Sequence, residues 1–491
     1  MTALAHPTAK SPGARRVLAS LSVALIVAAG SAAAQTNGPK SVAPVAEKLI
    51  DAVVNISTSQ TVKGPQGAPL PKVPQGSPFE DLFEDFFNKK GGRSRQDRKV
   101  SSLGSGFVVD GNEGLIVTNT HVIDGADEII INFSNGSRLK VDKVIGKDPK
   151  TDLALLKVTP KKPLTSVKFG SSENSKVGDW VMAIGNPFGL GGSVTVGIIS
   201  AKARDINSGP YDDYLQTDAA INKGNSGGPL FNMDGDVIGI NTAIISPTGG
   251  SIGIGFAVPS DVAMPVIDQL RQYGETRRGW LGVKIQSVTE DIAETLGVKE
   301  NTGALVANVT PDGPAAKAGI EAGDVILHFD GKEITTMRGL PRIVAQTPTD
   351  KSVDVELLRK GQKKSVKVIV GRLTEDDKPA EDSKSTDKPP AEKTSLIGLK
   401  LAPLTDELRQ KHGLDKKVKG VLVTEIDPQS PAALKGVKAG DVIVEAAQDQ
   451  VSSIDDVVKS IDKVRKSGRK TVLLRVEDGK GDMRFVAVPI D

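Results

Sequence analysis

At 491 residues the chain is longer than one hydrophobic core ordinarily serves, so two to four domains are expected. Apolar residues make up 38% and aromatics only 3%, against 52 glycines, a composition that disfavours large helical bundles and favours short Val/Ile strands joined by tight turns. With 63 Lys and Arg against 60 Asp and Glu the formal charge is only +3, which excludes the footprint of a nucleic-acid binder, and with no cysteine there are neither disulfides nor thiol chemistry.

The N-terminus reads as an export signal. Lys10, Arg15 and Arg16 precede an apolar run over 17–29, and Ala32-Ala33-Ala34 stand before Gln35, so 1–34 is expected to be a signal peptide cleaved after Ala34. The apolar run falls short of the roughly 20 residues a membrane-spanning helix needs. A retained anchor is therefore the lesser alternative, and membrane association is not required.

From 43 to about 273 the pattern is short apolar runs bounded by Gly, Asn and Asp, such as Gly106-Phe107-Val108-Val109 and Asp236-Val237-Ile238-Gly239-Ile240. This is the pattern of an antiparallel β-barrel region. Residues 58–76 interrupt it with Gly, Pro, Gln and Lys, after which Phe79, Leu82, Phe83, Phe86 and Phe87 recur at helical spacing. Ser77 as N-cap, Pro78 at the first helical position, Glu80 as capping-box partner and Lys89-Lys90-Gly91 at the far end predict a short helix. Its phenylalanines either pack on their own domain or dock on another subunit or near an active site.

An internal repeat organises the remainder. Pro314-Ala315-Ala316 followed by Ala322-Gly323-Asp324-Val325-Ile326 returns as Pro431-Ala432-Ala433 followed by Ala439-Gly440-Asp441-Val442-Ile443, an offset of 431 − 314 = 117 residues. Two copies are too few for a solenoid, so two globular modules of one fold are expected, over 278–372 and 395–491. Between them, 373–394 is rich in Asp, Glu, Lys, Ser and Pro and has little to bury. Such a stretch behaves as a flexible tether reaching on the order of 25 Å, which predicts a last module free to move.

Gly224-Asn225-Ser226-Gly227-Gly228-Pro229 places a serine among glycines that let the backbone turn sharply and present amides to an oxygen. A serine hydroxyl becomes a nucleophile only beside a base. Of four histidines, His6 lies in the export signal and His328 and His412 in the modules, which leaves His121 in Thr118-Asn119-Thr120-His121-Val122. A carboxylate must orient that base through its other ring nitrogen, and Asp152, opening the apolar run Asp152-Leu153-Ala154-Leu155-Leu156, fits best. Asp124, Asp127 and Asp148 are rivals that spacing does not eliminate, with solvated turn roles expected for them.

With these residues in this order, the chain resembles the HtrA/DegP (Do-like) family of periplasmic serine endoproteases. Ala183-Ile184-Gly185-Asn186-Pro187-Phe188-Gly189 and Gln216-Thr217-Asp218-Ala219-Ala220-Ile221-Asn222 carry the likeness further. The resemblance implies a mostly β fold, a chymotrypsin-like double β-barrel over 41–275 followed by two PDZ domains. It implies Ser226 as nucleophile, His121 as general base and acid, and the amides of Gly224, Asn225 and Ser226 as the oxyanion site. The substrate side chain would meet Ile221 and the strand Asn241-Thr242-Ala243-Ile244, an apolar lining with no aspartate for Lys or Arg, so cleavage after small aliphatic residues is expected.

In the first module Trp280-Leu281-Gly282-Val283 is similar to the carboxylate-binding loop of PDZ domains, whose amides form a nest for a peptide C-terminus, with Arg278 expected to supplement it. Leu396-Ile397-Gly398-Leu399 departs further from that form. The family also implies a regulatory loop at about 57–100, loops near 207–211 and 244–249 that rearrange with activity, and a homotrimer with larger cages. No cofactor or metal is expected, and with no phosphate-binding loop in the sequence neither is ATP. Unfolded proteins and exposed C-terminal peptides are the expected partners. A chaperone that captures such chains without cutting them, and a membrane-tethered regulatory protease, are the competing readings.

Overall fold

The structure, a computed structural model, describes residues 41–62, 98–186, 192–222, 224–247, 250–374, 395–414 and 418–490. The export signal, the Phe-rich helix, Pro187-Phe188-Gly189 and the tether beyond Thr374 lie outside the described residues. Among the described residues no helix is long and apolar enough to cross a membrane.

Thirteen strands build the first part: β1 Val53–Val62, β2 Arg98–Asp110, β3 Leu115–Thr118, β4 Glu128–Asn132, β5 Arg138–Lys140, β6 Lys143–Asp148, β7 Leu153–Lys157, β8 Trp180–Gly185, β9 Ser193–Arg204, β10 Tyr214–Thr217, β11 Pro229–Phe231, β12 Val237–Ile244 and β13 Gly255–Pro259. The first seven form one antiparallel sheet in the order β5-β4-β1-β2-β3-β7-β6, and the other six close a barrel in the order β10-β13-β12-β11-β8-β9. Strand β1 runs five residues past Ser57 to Val62, with Ser57 to Val62 paired to Leu103 to Arg98, so the loop expected from about 57 does not begin before Val62. Thr58 to Val62 bond to a partner strand, and that pairing outweighs their turn-like composition.

Three apolar clusters hold this part together. Val54, Ile56, Val108, Ile116, Ile131 and Leu156 fill the first sheet, and Val181, Ile199, Leu215, Ile221, Leu230 and Ile238 fill the barrel. The third lies between them, where Phe107, Val117 and Leu155 meet Ile184, Phe231, Val237 and Ile240. The helix Ser260–Tyr273 seals that seam with Ala263, Ile267 and Leu270. Because β12 faces the barrel interior on one side and the seam on the other, its first seven residues are all buried. The ends of β3, β7 and β12 therefore converge between two rigid halves.

The two repeats fold alike. Helix Pro314–Lys317 and strand Val325–Phe329 correspond to helix Pro431–Leu434 and strand Val442–Ala446. The second module packs on the first, where its tether suggested a domain without such contacts. In the first module Ala304 and Val306 point to its own core while Leu305 points outward, and in the second Leu474 and Val486 point in while Leu473, Phe485 and Ala487 point out. These outward faces pack on each other, with Ile292 and Leu296 from the helix Glu290–Leu296 between them. Gln286 donates to the Phe485 carbonyl (2.9 Å) and accepts from its N–H (2.8 Å). Lys284 pairs with Asp482 (2.5 Å) and Lys435 with Asp291. A tether sets reach, but burying side chains such as Phe485 at 3% exposure contributes about 1.5–3 kcal/mol each and holds the modules together. Phe485→Asp leaves the second module's own core intact, so the expected outcome is undocking: small-angle scattering should show a larger radius of gyration with secondary structure unchanged by circular dichroism.

Candidate active site

His121 follows β3 on a one-turn helix, Thr120–Ile123, and Asp152 stands directly before β7, which pairs with β3. Pairing Thr118 with Ala154 brings the two side chains to the same end of the sheet. The imidazole Nδ1–H donates to Asp152 Oδ2 at 2.5 Å, while Asp152 Oδ1 accepts the main-chain N–H of His121 at 2.9 Å. Asp152 thus holds both ring and backbone, from a left-handed conformation (φ 56) that is uncommon for a residue with a side chain. Both side chains are 19% exposed. Burial disfavours the imidazolium, but the charge and hydrogen bond of Asp152 outweigh it and raise the His121 pKa above its ordinary 6.5.

The turn carrying Ser226 comes from the other half and lies against Ser105, Thr118 and Asn119, the last of these two residues before His121. Gly227 (φ 83) has no room for a side chain, since a Cβ would stand 2.3 Å from both Ser105 O and Thr118 Oγ1 and 3.0 Å from Asn119 N. Gly227 N–H donates to Asn241 O and Asn241 N–H to Gly228 O, each at 2.8 Å, which ties the turn to β12. Ser105, buried in β2 and not singled out in the sequence, completes the hold. Its hydroxyl donates to Gly224 O (2.5 Å) and its N–H to Ser226 O (2.8 Å). A serine between glycines inside an apolar strand was the available signal.

Among the described residues the N–H groups of Gly224 and Ser226 have no partner, whereas that of Asn225 donates to Asn222 O at 3.0 Å. Of the three amides expected to serve an oxyanion, that of Asn225 is therefore already spent on closing its own turn. Ile221 is 2% exposed and shares the barrel cluster with Ile244, and Ala243 lies in the seam cluster. The Asn241 side chain donates to Pro229 O and the Thr242 hydroxyl to Ile240 O, so of the lining expected from β12 these two direct their polar atoms into the structure.

A trypsin-like peptidase domain family matches residues 104–240, and a PDZ domain family matches 250–370 and 395–485. A probable periplasmic serine endoprotease DegP-like from Brucella suis is 43% identical over 472 residues, covering 91% of this chain and 89% of the relative. The chain belongs to the HtrA/DegP-like family of serine endoproteases. A relative of the same description from Pseudomonas fulva is 45% identical over 423 residues, covering 84% of this chain and 86% of its own. A solved structure described as HtrA-type protease AlgW with decapeptide matches with a TM-score of 0.55 and 40% identity, covering 68% of this chain and 99% of that one.

In the first PDZ domain of this protease, Leu281 is buried at 3% exposure, and among the described residues the N–H groups of Leu281 and Gly282 are unpartnered, as a carboxylate nest requires. Arg278 does not supplement that nest. Its guanidinium, 10% exposed, bonds to both carboxylate oxygens of Asp148, with NH1 to Oδ1 at 3.0 Å, and lies over the Tyr211 ring at 4.8 Å. Asp148, expected in a solvated turn, is 2% exposed and also accepts from the Thr151 hydroxyl at 2.6 Å. A buried carboxylate must be paired, and the peptidase–PDZ junction supplies the cation. In the second PDZ domain Leu396 pairs with Leu399 around Ile397-Gly398 (φ 49 and 80), a tight hairpin in place of an open loop.

Two outcomes follow from this geometry. With His121 as the expected general base, which must be neutral to act, its raised pKa puts the acid limb of kcat/KM above pH 6.5; Asp152→Asn should move it down and lower kcat by roughly three to four orders of magnitude. Arg278→Ala strands a buried carboxylate and should destabilise the fold by about 3–5 kcal/mol in urea melts, and adding Asp148→Ala should recover part of that loss.

Proposed function

We propose that this serine endopeptidase is a periplasmic quality-control protease that cuts unfolded chains after small aliphatic residues, without ATP. The observation that carries the reading is the 2.5 Å His121–Asp152 bond beside the turn that bears Ser226. In this scheme Ser226 Oγ attacks the scissile carbonyl while its proton passes to His121 Nε2. Asp152 keeps the proton on Nδ1 and stabilises the imidazolium. The developing oxyanion is taken up by the N–H groups of Gly224 and Ser226, and His121 then protonates the leaving amine.

Ile221 and Ile244 support the preference for small aliphatic side chains, because they share one apolar cluster and leave no charge for a basic residue. The Leu281-Gly282 nest supports capture of substrate C-termini by the first PDZ domain, with the peptide adding a strand beside Val283–Gln286. That capture would present unfolded chains to the peptidase and would serve a chaperone role as well. The tight hairpin at 397–398 favours an assembly role for the second PDZ domain. Export with cleavage after Ala34 and assembly as a homotrimer, extending to larger cages, complete the proposal.

The decisive experiment is Ser226→Ala on the full chain with casein as substrate. Hydrolysis is expected to fall by roughly five to six orders of magnitude while a fluorescent C-terminal peptide binds as before, and the parent's fragments should end at Val, Ala or Ile. Hydrolysis that survives the substitution overturns the nucleophile assignment, and fragments ending at Lys or Arg overturn the specificity.

A further inference from the structure

Asn119 carries no task in the scheme above, yet its surroundings are unusual. It is fully buried, two residues before His121. Its side-chain Nδ2 donates to the main-chain oxygen of Asp152 at 2.7 Å and to Thr242 Oγ1 at 3.1 Å. Chemistry fixes that orientation. The Asp152 carbonyl only accepts, and the Thr242 hydroxyl spends its proton on Ile240 O at 2.9 Å, so both neighbours need a donor. The Asn119 Oδ1 is left buried with no partner among the described residues. An orphaned buried acceptor is unfavourable, and a packing role alone would be served better by an apolar side chain of the same size.

What the amide joins gives it a purpose. At one end is the left-handed Asp152 (φ 56), whose carbonyl also accepts from Thr120 N–H at 3.1 Å. At the other is Thr242 on β12, whose neighbour Asn241 is bonded to Gly227 and Gly228. Asp152 belongs to the first sheet and Thr242 to the closed barrel, so a single side chain spans the two halves.

We propose that Asn119 is a positioning residue that clamps the Asp152 turn to β12, setting the angle at which the carboxylate meets His121 and holding the Ser226 turn in register with both. This inference rests on the reading of Ser226, His121 and Asp152 as the reacting group. Its effect should fall on kcat, because Asn119 is fully buried and bonds to the main chain of Asp152.

The test uses the full chain, with Asn119→Ala and Asn119→Asp assayed on casein and a short peptide between pH 5 and 10, alongside the labelling rate of Ser226 by a fluorophosphonate. A kcat loss of about 10- to 100-fold is expected in both variants, with KM within two-fold and slower labelling, and in Asn119→Ala, which adds no charge, an acid limb shifted down toward the ordinary histidine value. Activity within two-fold of the parent with an unmoved limb would overturn the assignment, as would a loss confined to KM. If both variants fail to fold, Thr242→Val and Asn119→Ser remove one end of the clamp or weaken it, and must give the same limb shift on a smaller scale. A parent enzyme that does not label at Ser226 refutes the triad reading itself, whereas a labelled parent with unaffected variants refutes only the clamp.

Discussion

The bond between His121 and Asp152 is the constraint on which the site depends, because an imidazole is useful to a hydroxyl only when its other nitrogen is held. Asp152 meets that demand from a single turn, taking the ring N–H on one carboxylate oxygen and the backbone N–H of His121 on the other. The geometry follows from antiparallel pairing: β3 ends where β7 begins, so histidine and aspartate leave adjacent strands side by side. The cost is a left-handed aspartate, sustained by the bonds its carbonyl accepts from Thr120 and Asn119.

The Ser226 turn meets Thr118 and Asn119, at the end of β3, because the two halves pack on each other. Phe107 and Phe231 come from different sheets yet share the seam cluster, and Ser105 bonds across it to the carbonyls of Gly224 and Ser226. Small residues at the seam are there for contact distance: at Gly227 even one methyl group would collide with Ser105 and Thr118. Polar side chains at the seam act as cross-braces between sheets that share no main-chain ladder.

The PDZ domains join the peptidase through specific contacts. Arg278 neutralises Asp148, and Asp148 holds Thr151, the residue before Asp152. Arg338 pairs with Asp205 at 2.7 Å and Arg342 with Asp213, so the helix Gly339–Gln346 and the residue before it rest on the 205–213 segment of the peptidase. The second PDZ domain in turn grips Val283–Gln286 through Lys284 and Gln286, from the side away from the first domain's core. A peptide that added to that strand would therefore meet an element already held by the second PDZ domain.

Local chemistry carried much of this protein openly in its sequence. Ser226 among glycines and the sole histidine of the barrel region stood out as candidates, and the duplicated Pro-Ala-Ala helices as a repeat, because each is marked by residue type and spacing. What depends on partners remote in sequence was not. Arg278 read as a peptide ligand until Asp148, 130 residues away, was seen to bury with it; a tether's composition gave no hint that Phe485 would dock on the first module; and the Asn225 amide looked available until Asn222 took it. Composition and pattern report which groups need a partner, and only the tertiary structure decides which partner is within hydrogen-bonding reach, because that choice is made by packing between segments that the sequence does not place side by side.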